Sequence, residues 1–187
     1  MPPVSEPTPQ QGAIPKKEIL LKRYLDRTVK TIESVRDAKD EFDRMLRINE
    51  AIRMIARAID RMRLDLSIRD LLRIMDSEPF RTLTYEERNY CYYLMLDMGV
   101  LKVLRIDRKN GKVIYVNEWW LSDRYGLHPS IKVDMLRSGR LSAFLRRIAE
   151  ELRKNQDERA NQRADQISRL VEAVEKVMEH MRGGKEP

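Results

Sequence analysis

Between Lys16 and Glu78 the chain has neither glycine nor proline, and its apolar residues recur three and four positions apart. Leu21, Leu25, Ile32 and Val35 form one run; Phe42, Met45, Ile48, Ile52, Ile55, Ile59 and Met62 form the next. This spacing predicts amphipathic helix with one apolar stripe. The intervals slip between Val35 and Ile48, so a break near Asp37–Asp43 is expected, and the arm reads as one very long helix or two. At the other end, Leu141, Leu145, Ile148 and Leu152 form one seam, and Ala160, Ala164, Ile167, Val171, Val174, Met178 and Met181 form a second. The join slips across the polar stretch 153–163. A single helix over 140–182 would be roughly 63 Å long, and its stripe needs another helix to cover it. Leu145, Ile148, Leu152, Ile167, Val171, Val174 and Met178 are therefore expected to pair with the same arm of a second copy, giving a coiled-coil homodimer, or with the N-terminal arm of the same chain.

The middle of the chain changes character. Thr84 is a good helix N-cap, and Glu87 three residues on completes a capping box; Gly99 follows the apolar Met98 as a helix stop. A helix is expected from Tyr85 to Met98. Beyond it, Leu101, Val103 and Leu104 precede Arg108-Lys109-Asn110-Gly111, and Val113, Ile114, Tyr115 and Val116 follow. Asn-Gly between β-branched runs predicts a tight hairpin.

With Ser67 to Met75 as a second helix, Thr84 to Gly99 as a third and Leu101 to Val116 as a wing, this third of the chain resembles the winged helix-turn-helix family. The whole arrangement is similar to small archaeal chromatin and regulator proteins that pair winged helices through a C-terminal coiled coil, although the long N-terminal arm departs from them. The resemblance implies double-stranded DNA binding, with the third helix at the major groove and the wing on the backbone or minor groove.

The charge distribution bears on that implication. The 187 residues carry a net charge of +7, with 36% charged and 42% apolar residues and a mean hydropathy of −0.61, a balance suited to an elongated, helix-rich protein. Within 101–117, Lys102, Arg105, Arg108, Lys109 and Lys112 face only Asp107. These cations are the leading candidates for phosphate contact; a solvated turn is the alternative. On the expected third helix only Arg88 and Asn89 are good base readers, beside Glu86 and Glu87. Tyr90 and Tyr93 are expected on its exposed face, to meet phosphate or a protein partner, while Tyr92, Met95 and Met98 pack inward. Arg69 and Arg81 flank the helix as phosphate clamps or as ordinary surface arginines.

Other chemistry finds little footing. There is one cysteine, Cys91, which reads as a small core residue, and with His128 and His180 as the only histidines neither a disulfide nor a zinc cluster can be assembled. No phosphate-loop, nucleophile-elbow or H-E-x-x-H motif is present, so no enzyme, metal or cofactor is expected. Trp119-Trp120 reads as structural packing. No apolar run reaches the ~20 residues of a membrane span, and the first fifteen residues lack the pattern of a signal peptide, so the expected location is cytoplasmic.

The expected fold is thus mainly α with a small β-hairpin, a winged helix-turn-helix flanked by long N- and C-terminal helical, coiled-coil arms. Its parts are a disordered proline-rich tail (1–15), an N-terminal helical arm (16–49), a winged-helix domain (50–118), a linker with a short helix (119–139), a coiled-coil helix (140–182) and a frayed end (183–187). The expected function is non-enzymatic DNA binding, as a transcriptional regulator or a DNA-organising or partition-type factor. The alternative is an assembly or scaffold subunit that uses the same elements on other proteins.

Overall fold

The computed structural model describes residues 15–76, 81–84, 90–107, 109–117 and 129–183. The expected proline-rich tail before Pro15, Arg88 and Asn89, Arg108, the Trp119-Trp120 pair, His128 and the last four residues lie outside them.

The N-terminal arm is two helices, α1 (Lys16–Glu33) and α2 (Glu41–Met62), joined by a 3-10 turn η1 (Ser34–Asp37). The break falls where the apolar intervals slip, and capping fixes it there. The Asp40 carboxylate accepts from the Asp43 N–H at 2.7 Å, and the Asp43 carboxylate accepts from the Lys39 N–H at 3.0 Å, supplying acceptors for otherwise orphaned donors. The two helices lie antiparallel: Thr31 donates to the Met54 sulfur, and Arg61 sits 3.9 Å above the Tyr24 ring. A third helix, α3 (Ile68–Asp76), is capped at Ser67, where its start was expected. There the Asp70 N–H donates to the Ser67 hydroxyl at 3.1 Å while the Ser67 N–H and hydroxyl both donate to the Asp70 carboxylate.

The C-terminal arm corrects the expectation of one 140–182 helix. It is a helical hairpin, α5 (Arg140–Lys154) and α6 (Glu158–Gly183), preceded by a short helix α4 (Pro129–Arg137). The chain reverses at Asn155–Asp157, where Gln156 takes a positive φ of 49°. The pairs Arg146–Glu175 and Arg153–Asp165 run in opposite order along the two helices, as an antiparallel arrangement requires. Folding back lets the two seams cover each other. Leu145, Ile148, Leu152, Ile167, Val171, Val174 and Met178, the residues expected to pair two copies, are all buried within one chain, in the same core as α1 and α2. Neither expected partner, a second copy or the N-terminal arm alone, is the main one: the C-terminal arm pairs chiefly with itself. α6 additionally lies against α1, in parallel, through Arg163–Glu18 and Arg169–Asp26.

The largest correction concerns the expected third helix. Residues Tyr90–Asp97 form a strand, β2, within a four-stranded antiparallel meander of order β1-β2-β3-β4, with β1 at Arg81–Thr84, β3 at Val100–Asp107 and β4 at Val113–Asn117. β2 and β3 pair without interruption from Tyr90↔Asp107 to Asp97↔Val100. The two residues left between them, Met98 and Gly99, both have positive φ (49° and 78°), the backbone that a tight hairpin demands. Gly99 is therefore a hairpin glycine rather than a helix stop. Burial follows the strand period: Tyr92, Leu94 and Leu96 are buried with Leu101 and Val103 across from them, whereas Met98, expected to pack inward, is 90% exposed. The hairpin expected around Asn110-Gly111 is present, as β3 and β4.

Candidate nucleic-acid interface

The basic hairpin is built from local bonds around Asn110-Gly111. The Asp107 N–H donates to the Lys112 carbonyl and the Gly111 N–H to the Asp107 carbonyl, both at 2.9 Å. Gly111 has a φ of 67°, a conformation that glycine adopts without a Cβ penalty. Two side chains brace the turn: the Asp107 carboxylate accepts from the Lys109 N–H, and the Asn110 side-chain oxygen accepts from the Lys112 N–H, each at 2.8 Å. The acidic residue of the segment is thus bound to backbone, and Lys109 and Lys112 stand exposed at the tip. No described carboxylate forms an ion pair with either.

Lys102 differs from them. At the far end of β3 its ammonium bonds the Asp97 carboxylate at 2.6 Å, with the lysine side chain only 20% exposed. Its charge is offset within the sheet. Arg105 lies on β3 opposite Tyr92 and Tyr115. Tyr90 and Tyr93, expected on an exposed helical face, are on β2, and Arg81 is on β1 opposite Tyr93. Arg69 is exposed on the first turn of α3, where the neighbouring Asp70 carboxyl is held below its usual range, chiefly by the hydrogen bond from Ser67.

The structure therefore puts Lys109 and Lys112 together at the tip of one β-ribbon and leaves Lys102 at its other end. No base-reading helix carries Tyr90 and Tyr93 beside them. What remains within the described residues is a basic hairpin tip; Arg88 and Asn89, on which base reading was expected to rest, lie outside them. Among the described residues no group of histidine, cysteine and carboxylate side chains has the makings of a metal site, and no described helix is long and apolar enough to cross a membrane.

A second group of cations is not apparent in the sequence. The end of α2, the start of α6 and the start of α1 bring Arg61, Arg63, Arg159 and Lys17 around one depression. The one local hint is Arg159 in the first turn of a helix, where a cation opposes the helix dipole. Comparison with protein-family models, curated proteins and solved structures finds no match to the chain.

Proposed function

We propose that this protein is a non-enzymatic binder of double-stranded DNA that holds the phosphate backbone through the β3–β4 turn and reads little sequence. The observation that carries this is the hairpin tip, where Lys109 and Lys112 project into solvent while Asp107 is occupied by backbone donors. A two-stranded ribbon fits a DNA groove as a helix does, and phosphate contacts position a protein without specifying a sequence. A DNA-organising role accords with this better than a sequence-selective regulator.

The test is fluorescence anisotropy with random duplex DNA at several salt concentrations. Neutralising three phosphates through Arg108, Lys109 and Lys112 gives a log–log salt slope of about −3. The triple change Arg108→Ala, Lys109→Ala, Lys112→Ala should flatten it, and duplexes of different sequence should bind within a few-fold of one another. Absence of wild-type binding at about 50 mM salt refutes the reading.

Assembly with another protein is the second reading, favoured by Phe42 and Leu46. They lie one turn apart on α2 and remain 66% and 50% exposed, an uncommon display of apolar surface on one face. Under this reading Phe42→Lys with Leu46→Lys abolishes partner binding and leaves DNA affinity unchanged.

A further inference from the structure

At the end of the helical bundle remote from η1, a two-lobed depression opens between the start of α1, the end of α2, the start of α6 and the Met98-Gly99 turn. Its lobes, of ≈ 420 Å³ and ≈ 510 Å³, share Arg61, Arg63 and Arg159, and Lys17 lines the first. We infer that this depression binds an oligophosphate group, two or three linked phosphates, held by Arg61, Arg63 and Arg159.

The floor is rigid and its charge is already balanced. Arg163 is 4% exposed; it grips both Glu18 carboxylate oxygens at 2.6 and 3.0 Å and donates to the Met62 carbonyl at 2.9 Å. Glu18 is thereby hydrogen-bonded to Arg163 in a bidentate pairing, and the Arg159 charge acts on its carboxylate from a distance without bonding it. Among the described residues no carboxylate comes within ion-pair distance of Arg61, Arg63 or Arg159. Asp60 and Asp65 line the outer lobe. They lessen its positive potential without pairing with the arginines, which places the stronger field in the inner lobe.

Two features make ordinary surface charge a poor account of this cluster. Arg63 occupies the left-handed conformation, φ 48° and ψ 66°, which costs a side-chain-bearing residue free energy and is commonly filled by glycine or asparagine at a helix end. Arg159 is the second residue of α6, where its charge is repelled by the helix dipole. An anion seated between them neutralises the charge that the α6 dipole repels, and itself meets that dipole with favourable sign. Three guanidinium groups on one ligand call for more than the single charge of a carboxylate. Linked phosphates supply several charges and pairs of acceptor oxygens that match the arginine fork. The same chemistry is offered by inorganic polyphosphate and by a nucleotide.

The inference is independent of DNA binding at the hairpin. β3 alone spans roughly 23 Å at about 3.3 Å per residue between the Gly99 turn and the Asp107 end, so the two basic regions lie at opposite ends of the strand. The experiment is calorimetric titration of the full chain, at about 100 mM salt, with sodium tripolyphosphate in one arm and adenosine triphosphate in the other. Wild type is compared with the pair Arg63→Gln, Arg159→Gln and with Lys109→Ala, Lys112→Ala. Saturable binding of tripolyphosphate that weakens at least tenfold in the arginine pair and is unaltered in the lysine pair supports the site. Equal affinity in both arms assigns recognition to the phosphates alone, and tighter nucleotide binding adds the nucleoside to the ligand; both outcomes support it. Absence of saturable binding at about 1 mM of either probe overturns the inference, as does equal affinity in an arginine pair whose circular-dichroism melting matches wild type.

Discussion

In the helical layer, several arginines meet carboxylates across neighbouring helices: Arg163 with Glu18, Arg169 with Asp26, Arg153 with Asp165 and Arg146 with Glu175. At the tip of the sheet the lysines have no such partners, and the sheet's one described ion pair, Lys102–Asp97, lies at the other end of β3. The difference separates two uses of a cation. Between helices it fixes how one element sits on the next; at Lys109 and Lys112 nothing within the described chain uses the charge. A similar distinction within the bundle sets buried Arg163 apart from Arg63 and Arg159, which meet no described carboxylate, while Arg61 lies over the Tyr24 ring.

Substitutions in each region test that contrast between the bundle and the sheet. The most severe effect is expected in β2. Leu94 is 3% exposed and Met95 is half-buried, so Leu94→Lys should cost about 3 kcal/mol or more, whereas Met95→Lys, whose charge can reach water, should stay within about 1 kcal/mol. A helix over these residues demands the reverse order, and chemical denaturation of the two variants decides between them. Next comes Arg163→Ala, which strips the Met62 carbonyl and Glu18 of their donor. Breaking a buried pair typically costs about 3–5 kcal/mol, and partial exposure of Glu18 places this one at about 2–3 kcal/mol. A loss below about 1 kcal/mol, the usual worth of a surface pair, would show that Arg163 does not lock α1 to α6.

Gly99→Ala should cost about 1–2 kcal/mol. Its φ of 78° is costly for alanine, and the new Cβ would come 3.2 Å from the backbone oxygen of Leu64, an atom that cannot swing aside. A neutral thermal melt would mean that this turn is not held against the end of α2. The smallest effect is on pH dependence. The hydrogen bond from Arg163 holds the Glu18 carboxyl below its ordinary value of 4.5, so the folded state binds this proton less readily than the unfolded one. The stabilisation is present above about pH 4.5 and is lost as pH falls through the lowered folded value. Wild type should therefore lose more melting temperature than Glu18→Gln between pH 6 and pH 3; parallel profiles would remove Glu18 from the acid response.

Much of the bundle is legible in the amino-acid pattern alone, and the sheet much less. The stripes of α1, α2, α5 and α6 are long enough that helical period dominates every other signal, and the slips at Val35–Ile48 and 153–163 mark real breaks. The second slip is a chain reversal; bridged into one helix, the two seams expose the same residues as a dimer interface would. Around β2, Thr84, Glu87 and Gly99 satisfy a helix-capping pattern in the sequence, while Tyr92, Leu94 and Leu96 within it satisfy strand alternation. Eight residues are too few for either period to prevail, and the capping residues tilt the pattern towards helix.

Local sequence suffices for the amphipathic helices, their capped boundaries at Asp40 and Ser67, and the Asn110-Gly111 hairpin, because each depends on residues within about one turn or one hairpin loop. Long-range packing settles the strand at Tyr90–Asp97, the fold-back at Asn155–Asp157 and the convergence of Lys17, Arg61, Arg63 and Arg159. These depend on which distant segment covers an apolar face or meets a charge. A strand gains its backbone bonds only from a neighbour, and a seam takes whichever partner the fold brings to it.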